Sequence, residues 1–306
     1  MVAVNWKESI HLPISLIKEL VEVNRHAAGE RSDAMNRHAH LMTPAGVGKA
    51  MQAKETNKID HIIAVMSGKG GVGKSLVTSL AGIVLKRSGF EVGILDADIT
   101  GPSIPVMFGI NKRPEVSKTG LLPVMSSSGI AIMSINLMLE CEDDPVIWRG
   151  PLIGNTIKQF WEDVLWGKLD YLLIDLPPGT SDAPLTVMQS LPLSGVVIVF
   201  TPQELASMVV RKAIKMSRNS MNIPIIGVVE NMSYFVVPET GKNIEIFGRS
   251  RAEEMARVAG APLLGRFPID PELARICDAG EIEGYNSEFL NRFSESFLKT
   301  IKGEAD

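Results

Sequence analysis

Eight consecutive residues, Gly68-Lys69-Gly70-Gly71-Val72-Gly73-Lys74-Ser75, have the composition of a loop that closes on phosphate. Glycines let backbone N–H groups converge on phosphate oxygens without side chains in the way, and a following helix adds the positive end of its dipole. In the G-x-x-x-x-G-K-[ST] pattern Lys74 is placed to reach the β- and γ-phosphates, and the Ser75 hydroxyl to ligate Mg²⁺. We therefore take Gly68, Lys69, Gly70, Gly71, Val72, Gly73, Lys74, Ser75 and Leu76 as nucleotide-binding candidates. A plain glycine-rich surface turn would not need an apolar run before it and a helix-forming run after it; residues 61–66 (HIIAVM) and 76–87 supply both.

Carboxylates fall where such a loop needs them. Asp96 and Asp98 close the run Ile94-Leu95-Asp96-Ala97-Asp98, and Asp175 closes Leu172-Leu173-Ile174-Asp175. Ligands of open parallel sheets bind at the carboxyl ends of strands, so these acids are expected beside Lys74. Asp175 reads as the acid that holds Mg²⁺ through water, with Asp96 near the metal shell and Asp98 orienting the attacking water. A helix N-cap explains any one of these aspartates but not all three. Two loops, residues 100–105 (TGPSIP) and 177–182 (PPGTSD), follow the acids and read as switch segments ordered by a γ-phosphate. Asn231 is expected to offer its amide to the base edge, and Pro268 and Asp270, in the run 267–271, to wall the base pocket with backbone groups.

Lys69 is a second lysine inside the loop, where one suffices. It cannot easily fold back onto the phosphates of its own loop, but it can reach those of a facing subunit. That makes Lys69, Lys74 and Asp98 the catalytic candidates, with Lys69 acting in trans in a homodimer.

The elements that must position these residues are readable from periodicity. Runs 61–66, 91–96, 170–175, 195–200, 225–230 and 262–267 are apolar without alternation, which suits a parallel sheet covered on both faces. Helices are expected near 76–88, 150–166, 203–219, 250–259 and 286–302. The fold class is α/β, a mostly parallel, doubly wound sheet of the P-loop NTPase type. Two inserted hairpins are expected, one joining 121–124 to 130–135 and one joining 234–237 to 243–247 around Glu239-Thr240-Gly241-Lys242. Residues 58–306 form the ATPase domain. Residues 1–57 read as an extension with a short amphipathic helix after Pro13, then a stretch with no steady period. His38 and His40 in that stretch read as solvated side chains rather than half of a metal site.

Composition restricts the function classes. A net charge of −4 argues against a nucleic-acid binder working through a global basic field. The two cysteines, Cys141 and Cys277, have no metal or redox spacing, which implies a reducing compartment and no disulfide framework. No stretch approaches the roughly 20 apolar residues of a membrane span, so the expectation is a cytoplasmic chain that engages no membrane. Phe289, Phe293, Phe297 and Ile301 form a stripe near the chain's end, read as a packed helix because Glu304 and Asp306 would be repelled by anionic lipid.

GKGGVGKS, DADITGPSIP, WRGP, DYLLIDLPPGTSD, TPQ and VENMSYF, in this order and spacing, resemble the Mrp-type iron-sulfur cluster carrier ATPases of the MinD/ParA-like deviant P-loop group. The resemblance covers about residues 59–300. It implies ATP and Mg²⁺ as cofactors, a homodimer with two ATP sites at its interface, a cluster bridging the subunits, and delivery of that cluster to apoproteins. It gives Lys69, Lys74, Ser75, Asp98 and Asp175 their roles through the matched motifs. One departure concerns the cargo: the family's C-x-x-C ligands follow NMSYF, and here those positions read Val237-Pro238-Glu239-Thr240. Neither Val237 nor Thr240 supplies the thiolate an iron-sulfur cluster demands. Two other classes stay open, a nucleotide-gated scaffold that binds no cluster and a MinD/ParA-like positioning ATPase. A nitrogenase-like reductase would need a cysteine soon after Asp175, and none occurs before Thr201.

Overall fold

The computed structural model describes residues 57–98, 101, 103–117, 119–138, 157, 159–180, 182–217 and 222–303. The expectations for residues 1–56, including the helix after Pro13 and His38 and His40, lie outside the described residues, as do Cys141 and WRGP.

Among the described residues nine strands form one sheet, in the spatial order β3-β4-β2-β5-β1-β6-β7-β8, with β9 also paired to β7. The strands are β1 Lys58–Ser67, β2 Val92–Asp96, β3 Val124–Met125, β4 Ala131–Ser134, β5 Lys168–Asp175, β6 Gly195–Phe200, β7 Ile225–Val236, β8 Asn243–Ile244 and β9 Leu263–Ile269. Strand β1 runs parallel to both β5 and β6 at the centre, and only β3 and β8 pair antiparallel. The helices are α1 Lys74–Arg87, α2 Ile104–Met107, α3 Asp182–Ser190, α4 Glu204–Lys215, α5 Ala252–Ala259, α6 Pro271–Asp278 and α7 Glu288–Ile301. This is the doubly wound α/β class expected from the apolar runs.

The continuity of those runs has a direct cause in packing. Successive side chains of β1 point to opposite faces, and both faces are covered. Ile62, Ala64 and Met66 join one core with Phe160, Trp161 and Ile198; Ile63 and Val65 join the other with Leu80, Val84 and Phe293. Helix α7 closes the second core: Phe289, Phe293 and Phe297 are buried, and Phe293 meets Phe267 of β9 edge-on at 5.1 Å. The apolar stripe near the chain's end is therefore part of the core. No helix among the described residues is long and apolar enough to cross a membrane.

Three details differ from the sequence expectations. Strand β7 does not stop at 230 but continues to Val236 through an irregularity, and its end forms the second expected hairpin with β8. The first hairpin forms with shorter arms, β3 against β4. Helix α6 was not expected, although Asp270 accepts from Glu272 N and Leu273 N and Pro271 occupies the first turn, which together form an N-terminal signature.

The turn of the first hairpin is tied down by one carboxylate. Glu283 accepts hydrogen bonds from the hydroxyls of Ser126, Ser127 and Ser128 and from the amides of Ser127 and Ser128. Burial pushes its pKa up, but these hydrogen bonds outweigh burial and hold it below the usual value. A carboxylate with a depressed folded-state pKa stabilises the fold above its unfolded pKa, and that contribution is lost as pH falls through the folded one. Glu283→Gln is expected to lower the urea midpoint at pH 7 by the equivalent of about 1 kcal/mol, given partial solvent screening, and to have a smaller effect at pH 3. Parallel urea titrations at the two pH values test this.

Candidate functional site

The loop of residues 68–73 leaves the carboxyl end of β1 and enters α1 at Lys74, two residues earlier than periodicity indicated. Gly71 and Gly73 have φ of 75° and 83°, the left-handed conformation that a side chain resists, so the backbone can fold over a ligand here. Gly73 is also closely approached: a Cβ on it would lie 2.1 Å from Asn231 Nδ2.

Three aspartates meet Lys74 because the parallel register brings strand ends together. Asp96 of β2 pairs with Asp175 of β5, and Asp98 lies two residues beyond. Lys74 is 5% exposed, with Nζ 2.8 Å from Asp175 Oδ1 and 3.5 Å from Asp98 Oδ2. Burial pulls the pKa of this ammonium down, but Asp175, Asp98 and Asp96 outweigh burial and hold it above its ordinary value. Lys74 is thus a buried, fixed positive charge at the loop's mouth. Burial and the neighbouring Asp175 push Asp96 well above the usual carboxylate range, with Lys74 acting the other way. Its oxygens accept from Asp98 N at 3.1 Å and Ser134 Oγ at 3.2 Å.

Ser75 Oγ donates to Asp175 Oδ2 at 2.5 Å, and Thr78 Oγ1 donates to Asp175 Oδ1 at 2.9 Å. Mg²⁺ keeps several waters and needs only one or two protein oxygens beside the phosphates. Ser75 and Asp175 fit that role, with Asp96 behind them. Thr78 was not anticipated; it lies one helical turn after Lys74 and could have been found from that spacing.

The remaining candidates separate into those the fold brings to the loop and those it uses otherwise. Asn231 is buried against it, its Nδ2 donating to Val72 O at 2.8 Å. In this arrangement the amide grips the loop backbone. Pro268 lies in β9 opposite Tyr234. The Asp270 carboxylate caps α6 and accepts from the Tyr285 hydroxyl, so only backbone is left at this position to face a base. Leu76 packs against the second core. Lys69 points away from Lys74's carboxylates, and its Nζ donates to Gln203 Oε1 at 2.5 Å. Gln203 belongs to the TPQ segment after β6 but had not been singled out.

At the family's cluster-ligand positions, Val237 is half-buried and Thr240 exposed at the turn between β7 and β8. A valine has no donor atom, and the Thr240 hydroxyl accepts from Lys242 N at 3.4 Å. Burial and Asp278 push the Cys277 thiol up to about 11, so it is protonated near neutrality. Among the described residues no group of three or more His, Cys, Asp or Glu could hold a metal ion. These residues do not fit a thiolate-held cluster.

Comparison with known proteins agrees with this geometry. A family model described as NUBPL iron-transfer P-loop NTPase matches residues 58–302. The iron-sulfur cluster carrier protein of Methanocaldococcus jannaschii is 49% identical over 249 residues, 80% of this chain and 84% of that protein. That of Clostridium perfringens is 47% identical over 238 residues, 75% of this chain and 83% of the relative. Among solved structures, a nucleotide-binding protein from Archaeoglobus fulgidus in complex with ADP superposes with a TM-score of 0.69 at 47% identity, covering 77% of this chain and 92% of that one. The Pyrococcus furiosus cell division ATPase MinD, 20% identical with a TM-score of 0.58 over 80% of this chain and all of that one, shares the fold. The chain therefore belongs to the family of NUBPL iron-transfer P-loop NTPases.

Proposed function

We propose that this chain is an ATP-binding and ATP-hydrolysing dimeric switch that acts in iron-sulfur cluster assembly in the cytoplasm. The observation that carries the reading is the convergence of Lys74, Ser75, Asp96, Asp98 and Asp175 at one loop, where a buried cation and adjacent oxygens match a Mg²⁺-nucleotide. Lys74 holds the phosphates and neutralises charge that develops on the γ-phosphoryl group. Ser75 and Asp175 take the metal, Asp96 supports its shell, and Asp98 orients the attacking water. Asn231 and the backbone at Pro268 and Asp270 are assigned to the base in this reading. A bound Mg²⁺ would supply charge neutralisation to the phosphates, with Ser75 and Asp175 holding it; positioning is the protein's contribution.

Lys69 supplies the dimer argument. Its ammonium is held by a neutral amide rather than a carboxylate, a tether that costs little to exchange for a phosphate across an interface. Closure of two subunits over nucleotide would then complete both sites.

The cluster is cargo in this scheme. Relatives carry names of cluster carriers and of cytosolic Fe-S cluster assembly factors, which supports an apoprotein or assembly partner as client. Val237 and Thr240 favour a specific version of the reading, in which this chain is the nucleotide-gated scaffold and the thiolates come from its partner. Anaerobic reconstitution with iron and sulfide, followed by iron counting and visible absorption, tests it. The expected product is colourless, iron-free and still active as an ATPase; a brown protein with stoichiometric iron would show that the chain holds its own cluster.

A further inference from the structure

Glu230 is fully buried near the carboxyl end of the β7 core, and nothing in the phosphate chemistry uses it. Its carboxylate accepts from Ser233 Oγ at 2.5 Å, Ser250 Oγ at 2.6 Å and Arg251 N at 2.7 Å, with Arg266 Nε 3.5 Å away. Arg266 also donates to Ser233 Oγ at 2.8 Å and lies 3.3 Å from Glu245. A buried charge tolerates loss of its partners poorly, so this cluster holds its geometry.

The cluster sits at the base of an exposed arm. After Val236 the chain turns back through edge strand β8, Asn243–Ile244, paired to Phe235 and Val236, with residues 238–249 all exposed, and reaches Ser250 and Arg251, both bonded to Glu230. Ile244, Ile246 and Phe247 are exposed on this arm. The arm is held by the β7–β8 pairing, by the Glu245–Arg266 ion pair and by the bonds of Ser250 and Arg251 to Glu230.

The neighbouring residue connects the cluster to the phosphate loop. Asn231 donates to Val72 O, and the close approach to Gly73 leaves that contact no slack. Met232 then adopts φ 54°, rare for a side-chain-bearing residue, and the pairing with β9 shifts register between Glu230 and Tyr234. The irregularity is what lets consecutive residues serve two sites, Asn231 the loop and Glu230 the arm. Strain at a bulge persists only when the surroundings over-determine it, and the Glu230 cluster and the Asn231 contact are those surroundings.

We propose that Glu230 is a positioning residue that couples the 237–249 arm to the phosphate loop through Asn231, so that nucleotide in the loop changes the arm's protection and a partner on the arm changes nucleotide affinity. The reciprocity is thermodynamic. The proposal rests on the nucleotide reading of residues 68–75, and the test separates the two.

The test is hydrogen exchange of the full chain without nucleotide, with Mg-ADP and with a non-hydrolysable Mg-ATP analogue, each at saturation established by fluorescent-nucleotide titration. The amides of Val237, Gly241 and Arg251, hydrogen-bonded to Lys242 O, Val237 O and Glu230, report on the arm. In the wild type at least one nucleotide is expected to change their exchange by about fivefold or more, and in Glu230→Gln the response at saturation is expected to shrink below about twofold. A merely structural Glu230 would lower the melting temperature of the variant and leave the nucleotide response intact, and that result overturns the coupling. A wild-type arm that stays silent at saturation overturns it as well, with the nucleotide reading untouched. Absence of nucleotide binding overturns both. If Glu230→Gln does not fold, Ser250→Ala removes one donor and should at least halve the response; an unaltered response there also defeats the proposal.

Discussion

Lys74→Ala is expected to abolish nucleotide binding at micromolar ligand and to reduce ATP hydrolysis by about a thousandfold. The affinity loss follows from deleting a charge-assisted contact to phosphate, about 1.5–3 kcal/mol for each hydrogen bond, hence about 10- to 100-fold and more where several are made. The loss in hydrolysis adds charge stabilisation that operates only in the transition state, for which removal of a single donor costs about 10²–10³. The variant also leaves Asp96, Asp98 and Asp175 facing one another without the ammonium that now lies 2.8 Å from Asp175. Removing one partner of a buried pair is destabilising by about 3 kcal/mol, so the nucleotide-free variant should unfold at lower urea as well. Isothermal titration with ATP and with ADP, a phosphate-release assay and a urea titration measure the three effects. Wild-type affinity in the variant would remove the basis for assigning Lys74 to phosphate.

Lys69→Ala is expected to behave differently: nucleotide affinity within about threefold of wild type, and hydrolysis lower by about 10³-fold, the lower end of what a charge delivered in trans contributes. The geometry motivates the split. Lys69 is engaged by Gln203 and points away from the carboxylates that surround Lys74, so its removal leaves the loop's own charge arrangement unchanged. A charge supplied across an interface enters only when two subunits close, and its loss should also weaken ATP-dependent dimerisation. Mixing provides the decisive measurement. Inactive Lys74→Ala combined with inactive Lys69→Ala should recover part of the activity in heterodimers, because one composite site keeps the Lys74 of one subunit and the Lys69 of the other. Normal hydrolysis by Lys69→Ala alone would show that the second lysine has no part in the chemistry.

Consequences for the cargo follow from a different segment of the chain. Residues at the turn between β7 and β8 present a valine and a threonine, Val237 and Thr240, at the family's ligand positions. Iron-sulfur clusters are held by thiolates, so in the scaffold reading the ligands come from a protein partner.

The covered parallel sheet, the phosphate loop and the three strand-end aspartates were readable from the chain because each depends on short-range pattern. A strand buried on both faces must be apolar throughout, a loop closing on phosphate needs glycine at left-handed positions such as Gly71 and Gly73, and strand order brings carboxyl ends to one edge. The pairing of side chains across the fold was not readable in that way. Asp270 was expected to wall a base pocket through its backbone, and the sequence did not show that its carboxylate would cap a helix and meet Glu272 N, Leu273 N and the Tyr285 hydroxyl. Asn231 was expected to offer its amide to a base, and its contact with Val72 O of the phosphate loop was not readable. Lys69 found Gln203, Thr78 found Asp175 and Glu230 found Ser250, Arg251 and Arg266, all through register and crossover rather than neighbourhood. Composition and spacing determine which backbone each segment favours and so which residues reach the sheet's functional edge. Which atom each side chain then bonds is decided only when register sets distances to within an ångström, because hydrogen bonds and ion pairs lose their strength over that length.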